Sequence, residues 1–131
     1  DVYKRQTISD DSGFVIDSLG NYPGVKTARV AKKLGSEQNV MDDIFSKFGD
    51  ISHLNATFFC AVSLVTVNKK YNCLGKVKGK MISQRIGNNG FGYDPYFIPE
   101  QSEKTFAEME GYEKLKASHR FQAFKILSSQ I

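Results

Sequence analysis

Tryptophan is absent from this 131-residue chain, and cysteine and histidine occur only twice each. Cys60 and Cys73 form no C-x-x-C pair, so a structural zinc site would need distant ligands, and none is expected. Cys60 lies in FFCAVSLV and reads as a buried small hydrophobe. No long apolar run exists either. The longest falls within Phe58–Val67 and is interrupted by Ser63 and Thr66, too short for a membrane helix of about 20 residues. No basic, apolar, small-residue succession marks a signal peptide, so a cytosolic location is the expectation. What remains is a soluble globular composition, 40% hydrophobic and 24% charged with a net charge of +4. That excludes collagen-like and low-complexity chains and fits one domain with a single core.

Asp1–Gln6 (DVYKRQ) has neither helical nor strand periodicity and carries no initiating Met. It reads as a non-native, adapter-derived leader before a single domain over 7–131, and is set aside. Thr7–Asp11 reads as the end of a strand, and Phe14–Leu19 as a helix or short extended turn. Asn21-Tyr22-Pro23-Gly24 is turn chemistry. Helices are predicted over Val25–Leu34, capped by Gly35, and over Asn39–Phe48, where Val40, Ile44, Phe45 and Phe48 follow the 3.6 period. Asn55–Asn68 is the strongest strand signal. A turn over Lys69–Leu74 then leads to a strand over Gly75–Ser83, with Lys76, Lys78 and Lys80 on one face. A glycine-rich loop (GNNGFGYD), a short strand over Pro95–Pro99 and one final helix over about Tyr112–Ser129 complete the chain. This order predicts an α/β fold, a mixed sheet with flanking helices.

Three clusters could carry chemistry. Asp10-Asp11-Ser12-Gly13 places adjacent carboxylates on opposite faces of any strand that continues through them. One would face a cleft, and an Asp beside Ser and Gly suits Mg²⁺ and a closely approaching phosphate; an Asx-type turn is the plainer alternative. In the second cluster, Gly87, Gly90 and Gly92 expose backbone N–H groups, while Phe91 and Tyr93 offer flat faces for a nucleobase and Asp94 an acceptor. The same loop could equally join strands and bury its aromatics. The third is Lys114 with Ser118, His119 and Arg120, able to bind phosphates and donate to a base carbonyl, or else a solvated basic helix face. A lysine row at Lys69, Lys70, Lys76, Lys78 and Lys80 admits a nucleic-acid reading, but no aromatics interleave with it and an outer hairpin face explains it better.

In order along the chain, SDDSGFVIDSLGNYPGVKTAR, GNNGFGYDPYFIP and KTFAEMEGYEKLKASHR resemble the non-canonical purine nucleoside triphosphate pyrophosphatases, the inosine triphosphate pyrophosphatase family. The likeness runs from about Ile8 to Leu127. It implies an elongated two-lobed fold, Mg²⁺-dependent hydrolysis of ITP, dITP and XTP to monophosphate and pyrophosphate, and a homodimer. By that likeness Asp11 binds the metal and helps activate water, and Ser12 touches substrate. Phe91, Gly92, Tyr93 and Asp94 form the base pocket, with Phe91 stacking on the purine. Lys114, His119 and Arg120 complete the site, Arg120 near the 6-oxo group. Family chains also carry a Ser/Thr-x-Asn-x-x-Lys phosphate loop and an acidic metal ligand upstream of D-D-S-G, where this sequence has almost nothing. The chain is therefore expected to correspond to the C-terminal two thirds of such an enzyme and to be weak or inactive by itself. Smaller departures are Phe121 after S-H-R and the charged Val30-Ala31-Lys32-Lys33 after T-A-R. A nucleotide-binding protein without hydrolysis is the main alternative.

Overall fold

The computed structural model describes residues 7–131; the leader reading of Asp1–Gln6 lies outside the described residues. Four strands, β1 (Thr7–Ile16), β2 (His53–Val65), β3 (Lys70–Ile82) and β4 (Phe97–Pro99), pair in the order β1-β2-β3-β4. Every described pairing is antiparallel, so the mixture is one of strands with helices. The helices are α1 (Thr27–Leu34), α2 (Glu37–Ser46), α3 (Gly111–Ala117) and α4 (His119–Gln130). Among the described residues no helix is long and apolar enough to cross a membrane.

β2 shows why the sheet has an inside. Leu54, Ala56, Phe58, Cys60, Val62 and Leu64 are all buried, the period-2 pattern of a strand with one face on a core. Phe14 of β1 lies opposite Phe58, and Phe58 stacks on Phe97 of β4 with ring centroids 4.1 Å apart. Val40, Met41, Ile44 and Phe45 of α2 join this main core. A second cluster of Cys60, Val62, Leu64, Cys73, Ala123 and Leu127 lies beneath α4. The α1 end and the α2 start follow local rules. Gly35 takes a left-handed φ of 100° at the end of α1, and the Ser36 hydroxyl accepts from the Asn39 N–H at 3.0 Å.

Three readings change. Phe14–Ile16 continues β1, and only Asp17–Leu19 turns, as a 3₁₀ segment, because Phe14 and Ile16 bury against β2. The hairpin turn is confined to Thr66–Lys69, where the Thr66 N–H donates to the Lys69 carbonyl at 2.8 Å; β3 already begins at Lys70 and seats Cys73 opposite Val62. The single final helix is two. Its apolar stripes run on without interruption, but Ser118 is extended (φ −77°, ψ 149°) and its hydroxyl accepts from the Phe121 N–H at 3.0 Å, capping α4. Lys114 and Ser118 are therefore not neighbours on one helix face.

α4 rests directly on β3 at Gly75. A Cβ on Gly75 would collide with the His119 carbonyl and the Ala123 backbone nitrogen, so only glycine lets the first turn of α4 lie this close. Gly75→Ala should lower stability by about 1–3 kcal/mol, the usual penalty of overpacking. Gly111→Ala, where a Cβ meets nothing within 4 Å, should not. Urea denaturation of the two variants checks this.

Candidate functional site

A groove of about 770 Å³ opens between the α1–α2 corner and the loop before β4. Ser12, Gly13 and Phe14 of β1 border it, with Phe91–Asp94, Lys114 of α3 and Ser118–Arg120 at the start of α4. Eight of the nine residues singled out from the sequence thus share one groove: Ser12, Phe91, Gly92, Tyr93, Asp94, Lys114, His119 and Arg120. Asp11 is not among its lining residues. Strand alternation puts Asp10, Ser12 and Phe14 on the core side of β1 and Asp11 on the other, opposite Ala61, where it borders a separate shallow depression.

The aromatic loop is organised by one carboxylate. Asp94, only 4% exposed, accepts through Oδ2 from the Phe91 N–H at 3.0 Å and from Lys114 Nζ at 2.6 Å. Gly90, at φ +75°, passes so close to this carboxylate that a Cβ there would strike Oδ2. Both contacts use Oδ2, so Asp94 holds the loop together and keeps Oδ1 as a further acceptor. Lys114 Nζ also lies 4.7 Å from the Phe91 ring centroid, covering one face in a cation–π contact. Phe91 is otherwise 71% exposed and offers a flat platform. Tyr93 does the opposite. It is buried, packing edge-on against Phe14 with centroids 4.7 Å apart, and forms the groove's floor.

The cations separate along the groove. Lys114 is held at the Phe91 end, while Arg120 reaches β1, with Nη1 2.9 Å from Asp10 Oδ2 and Nη2 donating to Ser12 Oγ at 3.3 Å. Arg120 lines the same groove as Phe91 while it is held against Asp10 and Ser12, which share the face it approaches. His119 lies between them, edge-on to Phe58 at 5.2 Å. Burial first, then the charges of Arg120 and Lys114, lower its pKa to about 4, so its imidazole is neutral near pH 7. Its Nδ1 and the Tyr93 hydroxyl are buried with no hydrogen-bond partner among the described residues. Burial, followed by the Glu37 carboxylate, raises the Tyr93 pKa, keeping the phenol protonated. The sequence reading passed over Asp10 as a partner for Arg120, and Glu37, which also borders the groove. Alternation within D-D-S-G already places Asp10 beside Ser12; nothing local announces Glu37.

For a divalent cation the donors are few. No group of three His, Cys, Asp or Glu able to hold a metal exists among the described residues. Asp10 is already paired with Arg120, which leaves Asp11 as the carboxylate of D-D-S-G open to a cation. Mg²⁺ keeps several waters and is commonly held by one or two carboxylates plus substrate phosphates. Asp11 fits that role and does not form part of a protein cage.

Comparison with known proteins places these features in a family. The model of the Ham1 family matches residues 1–130. A dITP/XTP pyrophosphatase of Flavobacterium psychrophilum is 36% identical over 125 residues, covering 95% of this chain and 66% of that protein. The dITP/XTP pyrophosphatase of Bacillus subtilis is 38% identical over 127 residues, covering 95% and 64%. Among solved structures, the Staphylococcus aureus Ham1 protein superposes with a TM-score of 0.83 at 30% identity, over 95% of this chain and 66% of its own. A HAM1 protein from Coxiella burnetii gives 0.81 at 32%, with the same coverage. The chain thus spans 64–66% of the length of these relatives.

Two measurements check the electrostatics. The unfolded chain's His119 takes up its proton near the ordinary 6.5, the folded one only near 4. Between these values the unfolded state binds more protons, so stability falls as pH drops from 6.5 toward 4. His119→Gln should flatten that part of the stability–pH curve, and the His119 ring carbon resonance should titrate near pH 4. Lys114→Met, which strands the buried Asp94, should cost about 3 kcal/mol, whereas Lys47→Met should cost under about 1 kcal/mol because the Lys47–Asp43 pair is nearly half exposed. Denaturant midpoints compare the two.

Proposed function

The chain belongs to the Ham1 family, and from that premise we propose that it hydrolyses non-canonical purine nucleoside triphosphates (ITP, dITP and XTP) to the monophosphate and pyrophosphate. The observation that carries this reading is the polarised groove: an exposed aromatic platform with a cation at one end, and a serine with an arginine at the other.

The chemistry follows from that polarity. A purine stacks on the open face of Phe91, since Lys114 covers the other. A 6-oxo group accepts where the 6-amino group of adenine donates, and the family likeness sets the Arg120 guanidinium, which lines the same groove, to donate to it. Adenine would leave buried donors facing donors, a mismatch that penalises it strongly. The phosphates then extend toward Ser12. β1 is the edge strand of the described sheet, so its two faces meet at a free margin and Asp11 lies just around it from Ser12. We assign Asp11 to Mg²⁺, which when bound neutralises phosphate charge as it spreads over the oxygens during hydrolysis. Asp11 also supplies the carboxylate that would orient and deprotonate the attacking water. His119, neutral and wedged between the cations, adds a hydrogen-bonding group without a third positive charge. A cytosolic setting and a homodimeric assembly rest on the family likeness and belong to the same proposal.

Pyrophosphate release with Mg²⁺ tests the reading. Turnover of dITP should be slow, as expected of a chain that spans about two thirds of the length of its relatives, and dATP should not be turned over. Phe91→Ala should raise KM about tenfold, within the range of about 1–3 kcal/mol for one base–aromatic stack, and Asp11→Asn should lower kcat by at least about a hundredfold. Tight dITP binding with no product would replace hydrolysis by simple nucleotide binding.

A further inference from the structure

Glu37 has no part in the reaction just described, although it borders the groove on the α1–α2 wall. Its side chain is half-buried, and it makes no hydrogen bond or ion pair among the described residues. Lys32, on the same wall, does not pair with it. The carboxylate is also aimed inward. The Tyr93 hydroxyl on the groove's floor, buried and without a partner among the described residues, feels the Glu37 charge more than any other. We propose that Glu37 binds the sugar of the substrate, accepting a hydrogen bond from its 3′-hydroxyl. The proposal rests on the pyrophosphatase reading and deepens it.

A nucleoside triphosphate offers three kinds of group to this wall. The phosphates are excluded by charge, since a carboxylate repels them. The base has its platform on the exposed Phe91, with Asp94 Oδ1 as an acceptor in the same loop. The sugar lies between base and phosphates, and its hydroxyls are O–H donors suited to a carboxylate. Acidic side chains hold ribose in this way in dinucleotide-binding folds. The 3′-hydroxyl is singled out because ITP and dITP share it, whereas dITP has no 2′-hydroxyl. Neighbouring residues hold the carboxylate in place. Ser36 caps α2 by accepting from the Asn39 N–H at 3.0 Å. The Gln38 carboxamide donates to the Ser83 carbonyl at 2.9 Å and accepts from the Tyr96 hydroxyl at 2.9 Å. These bonds tie the first turn of α2 to the end of β3 and to the segment after the aromatic loop, so the backbone at Glu37 needs little ordering when substrate binds.

Calorimetric titration with 2′-deoxyinosine and with 2′,3′-dideoxyinosine, both without Mg²⁺, isolates the hydroxyl. The unaltered chain should bind 2′-deoxyinosine about tenfold more tightly, as a hydrogen bond to a charged group provides. Glu37→Ala should erase that preference. Glu37→Gln, which keeps a neutral acceptor and guards against a folding defect, should reduce it to about threefold. The preference is a ratio within each variant, so a partial loss of folded protein does not mimic its disappearance. Equal binding of both nucleosides by the unaltered chain, a preference retained in Glu37→Ala, no binding of either nucleoside, or a preference that appears only with Mg²⁺ would overturn the assignment. A preference lost with Glu37 in a chain that leaves dITP intact would keep the assignment and reject hydrolysis. Turnover of dITP with a 3′-hydroxyl preference indifferent to Glu37→Ala would do the reverse.

Discussion

The seating of α4 on β3 governs the site. Gly75 removes the side chain that would hold the helix away, and Ser118 breaks the chain just before it, so α4 starts where the groove needs its first two residues. Had α3 and α4 been continuous, Lys114, His119 and Arg120 would have been fixed on one rigid cylinder, with azimuths set by 100° steps. The break frees α3 to carry Lys114 to the aromatic loop while α4 carries Arg120 to β1. A backbone contact that involves no catalytic group thus decides which cation serves which end of the groove.

Charge along the groove is arranged in matched pairs rather than as a uniform basic surface. Lys114 is balanced by Asp94 and Arg120 by Asp10, with a neutral His119 between. The buried pair shapes a loop and presents Phe91; the open pair holds a guanidinium without locking it. Under the proposed function a triphosphate would meet cations already oriented, and the reorganisation needed at binding would be small. The strand lysines play no part in this. Lys76, Lys78 and Lys80 stand exposed on the face of β3 turned away from α4, opposite Phe59, Thr57 and Asn55, as an outer hairpin face would have them.

The likeness to the Ham1 family explains why eight of the nine anticipated residues meet. It does not explain their internal geometry. Asp94, read as an acceptor for a base, also ties Lys114 to its own loop through Oδ2, and Arg120, read as a neighbour of the 6-oxo group, also pairs with Asp10 and Ser12. The Lys114 and Arg120 contacts join segments apart in sequence, which a motif does not encode.

Period and capping in the sequence determined the elements: the buried alternation of β2, the amphipathic α2 with its Ser36 cap, the Gly35 stop, and the opposed faces of Asp10 and Asp11 once β1 was known to continue. These depend on residues within a turn or two of one another, and backbone sterics and local hydrogen bonds settle them. The tertiary structure alone decided that Asp11 lies outside the groove's lining, that Asp10 engages Arg120 across 110 positions, and that Glu37 and Tyr93 line one groove. Those outcomes depend on which faces of β1, β3 and α4 pack together, and packing is set by shape and burial over the whole core rather than by any single stretch of chain.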